Sequence, residues 1–255
     1  MINTVLFDMG GTIEDLYSDQ KTMRRTAEGI IDILRRHDLM PDMGIDQLWE
    51  SVSAGMARYK AYSEATCTEL KPEQIWPDYA LNGLSINKEK IIPISEELAH
   101  MWEITYFDRK MRSRVPEMLE GLRSLGLRMG VISNTASLFQ VFDTLEEYNI
   151  RSYFEDVTLS SIVGYRKPHP NIFRISLRQM NVEPQTCVYV GDTLSRDIIG
   201  PQNVGFGMTM MIQSFLTASR DVKHVGLVEP DYRLSDIYDV YTILKEQVQE
   251  LHHAG

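Results

Sequence analysis

Apolar residues recur along this chain with two different spacings, and the change from one to the other divides it. Val5, Leu6 and Phe7 form a continuous apolar run that predicts a short buried strand over Asn3 to Asp8, broken at once by Gly10-Gly11. The long stretch that follows carries helical spacing instead. Met23, Ala27, Ile30, Ile31 and Leu34 mark a helix from Lys21 to His37, and Trp49, Val52, Met56 and Tyr59 mark another from Asp46 to Ser63. Pro72 opens a short third helix, and Glu89 to Phe107 reads as a fourth, with Pro93 near its start. This block shows no strand pattern.

From Val115 onward strands and helices alternate. Pro116 to Leu125 reads as a helix stopped by Gly126, followed by a strand over Leu127 to Ser133. Helices over Leu138 to Tyr148 and Pro170 to Met180 are separated by a strand over Asp156 to Ser160. Thr186 to Val190 is a further strand, then a helix from Ser195 through Asn203, a strand around Met208 to Ile212 and a C-terminal helix from Leu234 to His252. The terminal His252-His253-Ala254-Gly255 reads as a frayed tail. Alternation of this kind implies a Rossmann-like α/β fold, a parallel sheet with helices on both faces. A lone first strand is not stable, so Asn3–Asp8 must join that sheet, and the helical block is an insertion. The expected division is a discontinuous core of residues 1–15 and 108–255 and a helical domain of residues 16–107, moving about a hinge where the chain crosses twice.

Composition narrows the partners. Acidic residues outnumber basic ones 36 to 26, for a formal charge of −10. A nucleic-acid partner is not expected, since phosphate backbones require concentrated basic surface; a small phosphorylated molecule needs only a few local cations. The two cysteines, Cys67 and Cys187, are too few and too far apart for a disulfide framework, which fits a reducing, cytoplasmic setting. Both read as small buried hydrophobes. No signal peptide and no membrane span is expected.

Three predicted strands end in small polar residues: Asp8, Ser133 and Asp192. In an open parallel sheet, ligands bind at the carboxyl edge, so these three residues converge on one place. The surrounding motifs make the pattern specific. Val5-Leu6-Phe7-Asp8-Met9-Gly10-Gly11-Thr12, Val131-Ile132-Ser133-Asn134-Thr135, Gly164-Tyr165-Arg166-Lys167-Pro168 and Tyr189-Val190-Gly191-Asp192 followed by Asp197 occur in this order. Together the sequence resembles the haloacid dehalogenase-like (HAD) hydrolases, and the helical block sits where that family places a helical cap. The resemblance implies a magnesium-dependent hydrolase of small phosphorylated metabolites. Asp8 would attack phosphorus and carry an aspartyl-phosphate. Lys167 would neutralise the transferring group, and the phosphate would be held by Ser133 and Lys167 with Met9 and Asn134 beside them. Magnesium would be held by Asp8, Asp192 and the Gly10 carbonyl, with Asp197 set to orient a magnesium water or Lys167.

One position departs from the family pattern. Most family phosphatases carry a second aspartate two residues after the nucleophile, an acid–base group; this chain has Gly10. Branches without that aspartate include phosphonatases, which use a cap lysine such as Lys60 would be, and 2-haloacid dehalogenases, which lack the motif that supplies Asp192. A catalytically weak phosphate- or partner-binding protein is the other alternative. Glu14 or Glu64 could supply the missing proton. Tyr17, Arg24, Arg25, Trp49, Tyr59, Lys60 and Tyr62 are the polar and aromatic candidates for substrate contact in the cap. Trp49, Met56 and Tyr59, at helical spacing, are expected to be cap core. Met208, Met210 and Met211 read as core filler.

Overall fold

The computed structural model describes residues 1–217 and 221–253. Among these residues are eight strands: β1 (Thr4–Phe7), β2 (Glu14–Tyr17), β3 (Asp108–Met111), β4 (Arg128–Ser133), β5 (Asp156–Leu159), β6 (Cys187–Gly191), β7 (Met208–Ile212) and β8 (Tyr232–Leu234). Six of them form a wholly parallel sheet in the order β5-β4-β1-β6-β7-β8. β1 lies between β4 and β6, with Phe7 flanked by Val131 and Val190. Its four residues are all buried, because helices cover both faces of the sheet. The two-residue period still sorts them. Val5 and Phe7 face a core with Met118, Leu119, Leu122, Val240 and Leu244, while Leu6 faces Ile172, Phe173 and Leu177 on the other side.

The helical block comprises α1 (Gln20–Arg36), α2 (Ile45–Thr66), α3 (Pro72–Ile75), α4 (Lys88–Ile91) and α5 (Ser95–Thr105). It has a core of its own, with Ile30, Leu34, Leu48, Val52, Trp76 and Leu98 at its centre. Asp19 and Thr22 form a capping box that starts α1. The single helix expected over Glu89 to Phe107 is split. Pro93 has no N–H to donate, and a 3₁₀ turn over Ile92–Ile94 separates α4 from α5. The remaining core helices are α6 (Val115–Ser124), α7 (Gln140–Glu147), α8 (Ser160–Val163), α9 (Pro170–Met180) and α10 (Ile199–Val204), followed by a C-terminal helix, Asp239–His253.

Three strands depart from the sequence reading. β2 and β3 pair antiparallel where the chain leaves and re-enters the core, with Leu16 opposite Arg109. β2 runs across the expected boundary after residue 15, and β3 begins at the expected re-entry, residue 108. Four charged-rich residues a side carry no local strand signal; an ion pair between Glu14 and Arg109 helps join them. The C-terminal helix was expected to begin at Leu234, the last residue of β8. Instead Tyr232–Leu234 extends the sheet beside β7, and the Asp239 carboxylate receives the N–H groups of Ser235 and Asp236, delaying the helix to Asp239. Of the expected terminal tail, His252 and His253 are helical, and Ala254-Gly255 lie outside the described residues. Cys187 is buried and Cys67 half-buried, both free. Met210 and Met211 are core residues and Met208 is half-buried. Among the described residues no helix is long and apolar enough to cross a membrane.

Candidate active site

β1, β4 and β6 are adjacent, so the residues at their carboxyl ends meet. Asp8 follows β1, Ser133 ends β4 and Asp192 follows β6. Lys167 arrives from the loop before α9, and Asp197 from a single wide helical turn, Leu194–Ile198. All five side chains are buried. Lys167 Nζ donates to Asp8 Oδ1 at 2.6 Å, to Asp197 Oδ1 at 2.6 Å and to the Tyr189 hydroxyl at 2.9 Å, which accounts for all three ammonium protons. Tyr189 in turn donates to the Ile132 carbonyl at 3.1 Å. The other Asp197 oxygen accepts from the Thr193 N–H at 3.1 Å and its hydroxyl at 2.6 Å. The Asn134 side chain grips the Lys167 main chain from both sides, accepting its N–H at 2.8 Å and donating to its carbonyl at 3.1 Å. These two bonds fix the Asn134 amide against Lys167 and leave it one free N–H.

Charge sets the character of the cluster. Ligand oxygens of Asp8, Asp192 and Asp197 all lie within 4.8 Å of one another, against one lysine. Burial pushes the Asp8 carboxyl above its usual range, and the Lys167 charge pulls it back only in part. Burial opposes ionisation of Asp197 too, but Lys167 and the Thr193 hydroxyl hold it below the usual range. Burial alone would lower Lys167; Asp197 and Asp8 outweigh it and keep the ammonium charged. Asp192 packs against Gly11, whose φ is +97° and whose Cα leaves no room for a Cβ. Ser214 donates to Asp192 Oδ2, and Thr217 to the Asp192 carbonyl at 2.8 Å.

A cavity of about 440 Å³ opens above this floor, between the core and the helical block. Asp8, Met9, Gly10, Ser133, Asn134, Lys167, Asp192 and Asp197 all line it, so the residues expected from the sequence for catalysis, phosphate and metal reach one place. The Ser133 hydroxyl has no protein hydrogen-bond partner among the described residues. Of the cap candidates, Trp49, Tyr59 and Lys60 line the cavity. Tyr17 lies edge-on to Phe215, Tyr62 rests against Tyr79, Arg24 pairs with Glu28, and Arg25 binds the main chain at Thr105 and Phe107. Trp49 and Met56, expected in the cap core, line the cavity and are only partly buried; Tyr59 lines it and is buried. Helical spacing shows that residues share a face, and this face of α2 meets the cavity.

The surroundings of Gly10 leave no mark in the local sequence. A Cβ at Gly10 would meet Leu16 Cδ1 at 2.9 Å and Arg109 Nη1 at 3.9 Å. Arg109 Nε donates to the Glu103 carbonyl at 2.7 Å, Nη2 to the Glu103 carboxylate at 3.1 Å and Nη1 to Glu14. Glu14 is fully buried and also accepts from the Tyr148 hydroxyl at 3.0 Å. The second Glu103 oxygen accepts the Ala136 N–H at 3.1 Å. Glu64, at the cavity, pairs with Arg196 at 2.9 Å. Of the two acids considered from the sequence, Glu14 is locked to Arg109 away from the cavity lining, and only Glu64 borders it. Trp102 and Tyr106, four apart on α5 and its end, were legible as one helix face, but nothing local pointed that face at a ligand.

The block and the core are also joined beside Lys167. Residues 67–69 run along residues 164–166, with Glu69 N–H to Gly164 O at 3.0 Å and Arg166 N–H to Cys67 O at 2.9 Å. The buried Glu69 carboxylate accepts from Tyr59, Arg166 and Ser160.

A parallel sheet with a carboxylate cluster at its carboxyl edge and a helical insertion above defines a class of phosphate-handling hydrolases, and the comparisons agree. The sequence model of the haloacid dehalogenase-like hydrolases matches residues 2–205, and the chain belongs to that family. It is 30% identical over 210 residues to a glyceraldehyde 3-phosphate phosphatase of Pyrococcus abyssi, covering 80% of this chain and 79% of that one. A protein of the same description from Methanopyrus kandleri is 25% identical over 98% of this chain and 100% of its own. In structure it resembles a HAD phosphatase from Thermococcus onnurineus, with a TM-score of 0.63 and 22% identity over 95% of this chain and 98% of that one. A 2-haloacid dehalogenase from Pseudomonas syringae gives 0.66 at 19% identity over 97% and 100%. At such identities these two likenesses speak for the fold.

Proposed function

We propose that the protein is a magnesium-dependent phosphatase of small phosphorylated metabolites, working through an aspartyl-phosphate on Asp8, with residues 16–107 as a cap over the site. The observation that carries this reading is the Asp8 carboxylate at the floor of the cavity, its Oδ1 2.6 Å from a lysine, with a serine hydroxyl on the same lining that has no partner among the described residues. The names of the relatives favour a small phosphate ester. Asp8 supplies the attacking oxygen, Lys167 balances charge on the transferring group, and Ser133 with nearby main-chain N–H groups holds the phosphoryl oxygens. The phosphonatase alternative needs a lysine amine desolvated or crowded by other cations; Lys60 borders the cavity but is exposed, which argues against it.

The carboxylate cluster suits a hard divalent cation. Three buried carboxylates face one ammonium, so a positive charge is wanted there. Asp8, Asp192 and the Gly10 carbonyl would hold magnesium, while Asp197, with both oxygens engaged by Lys167 and Thr193, would orient. The ion would screen the phosphate's negative charge from the incoming carboxylate. Chelation should therefore abolish turnover and lower the melting temperature, and magnesium should restore both. Ser214→Ala removes the hydroxyl that holds Asp192 and should weaken magnesium roughly 10–100-fold, read from melting temperature against metal concentration. A melting temperature indifferent to magnesium in wild type would sink the metal assignment.

Gly10 shapes the chemistry. The Glu103 and Glu14 carboxylates are engaged with Arg109, and Glu64 with Arg196, so among the described residues no carboxylic acid stands ready to protonate a leaving group. Leaving groups that need little protonation should be preferred. Gly10→Asp should raise turnover on alkyl phosphates more than on aryl ones, by less than about 10²-fold, the low end for acid–base catalysis. Two contacts limit the gain: Leu16 must move aside, and Arg109 would hold the new carboxylate ionised. Rates plotted against leaving-group pKa for both proteins decide it. A flat plot in wild type means that a proton is already supplied.

A further inference from the structure

The cavity has a feature that the transfer of a phosphoryl group does not require. Trp49, Trp102 and Tyr106 line it as a set of nearly parallel rings. Trp102 and Tyr106 are 4.8 Å apart at 11°, Trp49 and Trp102 5.8 Å at 16°, and Trp49 and Tyr106 6.4 Å at 25°. The fully buried Trp76 stands edge-on behind Trp102 at 6.2 Å and fixes the set in place. All three lining rings are only partly buried, so they keep surface for a ligand. Met56, Leu16, Phe107, Val141 and Leu216 add apolar wall. The Tyr106 hydroxyl has no protein hydrogen-bond partner among the described residues.

Two independent properties of the cavity then select the organic part of the substrate. The ring set favours a planar partner, which can extend the stack or meet it edge-on. Among the described residues the floor offers the leaving oxygen no free acid: the guanidinium beside Gly10 is that of Arg109, which is held by Glu14 and Glu103 and has no proton to give at neutral pH. A sugar ring could stack on tryptophan, but its ester leaves as a basic alkoxide. A phenol-type oxygen satisfies both, because its charge spreads into the ring that the wall holds. A cavity of about 440 Å³ lies in the range of roughly 300–1,000 Å³ usual for small-molecule sites. We infer that the preferred substrate is the phosphate monoester of a planar aromatic hydroxyl, its ring held against Trp49, Trp102 and Tyr106 and its phosphate at the Asp8 floor. This rests on the phosphatase reading above. In the transfer, the Asp8–phosphorus bond forms as the phosphorus–oxygen bond to the ring breaks, the electron pair stays on the aryl oxygen, and water later returns Asp8 and releases phosphate.

Binding separates this inference from the phosphatase reading. The chain has three tryptophans, two of them in the wall, so occupancy can be followed by fluorescence. In the Asp8→Asn variant with magnesium, 4-nitrophenyl phosphate should quench that fluorescence and bind about tenfold more tightly than glucose 6-phosphate or inorganic phosphate. Trp49→Leu, and separately Tyr106→Leu, should erase that advantage while leaving inorganic phosphate binding unchanged. In proteins with Asp8 intact, the same changes should raise KM for 4-nitrophenyl phosphate and leave KM for acetyl phosphate alone. Equal affinity for the three ligands, or tighter binding of the sugar phosphate, overturns the aromatic class even if acetyl phosphate is turned over. Selective, tryptophan-dependent binding without any turnover upholds the aromatic site and removes the phosphatase reading.

Discussion

Asp8→Asn should lower phosphate release by at least about 10³-fold on the best substrate while leaving the fold intact. An amide keeps the size and shape of the carboxylate but is not a competent nucleophile. The structural cost is expected to be small or negative. Asp8 is buried beside Asp192 and Asp197, and its carboxyl is pushed up because the folded protein disfavours its charge. Removing that charge relieves repulsion, and Lys167 keeps Asp197 as its partner. In chelator, the variant should melt at or above the wild-type temperature. Phosphate release and thermal melts measured side by side check both halves; wild-type turnover in the variant would end the case for covalent catalysis through Asp8.

Lys167→Met should be the most damaging single change to both stability and rate. The ammonium satisfies Asp8, Asp197 and Tyr189 with its three protons, and no other cation contacts Asp8 among the described residues. Methionine fills similar space but strands these oxygens. Breaking a buried ion pair by removing one partner costs about 3–5 kcal/mol. Turnover should fall by at least about 10²-fold, the scale for losing one preorganised group that stabilises transferring charge. Excess magnesium should recover part of the stability, since it brings positive charge to the same carboxylates, but not the rate. Denaturant unfolding in chelator and in magnesium distinguishes the terms. If Lys167→Met unfolds at the wild-type denaturant concentration in chelator, Lys167 does not compensate this cluster.

The contrast between Asp8 and Arg109 shows why one part of the site was legible in the sequence and another was not. Asp8, Ser133 and Asp192 each end a strand whose apolar run is visible locally, and a parallel sheet brings carboxyl ends to one edge whatever the loops do. Lys167 and Asp197 were found through their motifs. Arg109 lies on a four-residue strand with three charged residues, and it reaches Gly10 only because β3 returns antiparallel to β2 with Arg109 opposite Leu16. Glu103 and the aromatic wall depend further on how the helical block settles on the core.

By itself, the sequence determined five of the six sheet strands, the helical nature of the inserted block and the identity of the carboxylates and lysine at the sheet edge. The strands, the helices and the strand-end residues Asp8 and Asp192 rest on hydrophobic periods that physical chemistry reads locally, and Lys167 and Asp197 on the family motifs the sequence resembles. Only the tertiary structure decided that the edge strand β8 precedes the last helix, that the β2–β3 ribbon places a guanidinium beside Gly10, and that Trp49, Trp102 and Tyr106 form one wall. These are contacts between segments far apart along the chain. Their partners are chosen by charge and shape after collapse, and no spacing within one segment encodes them.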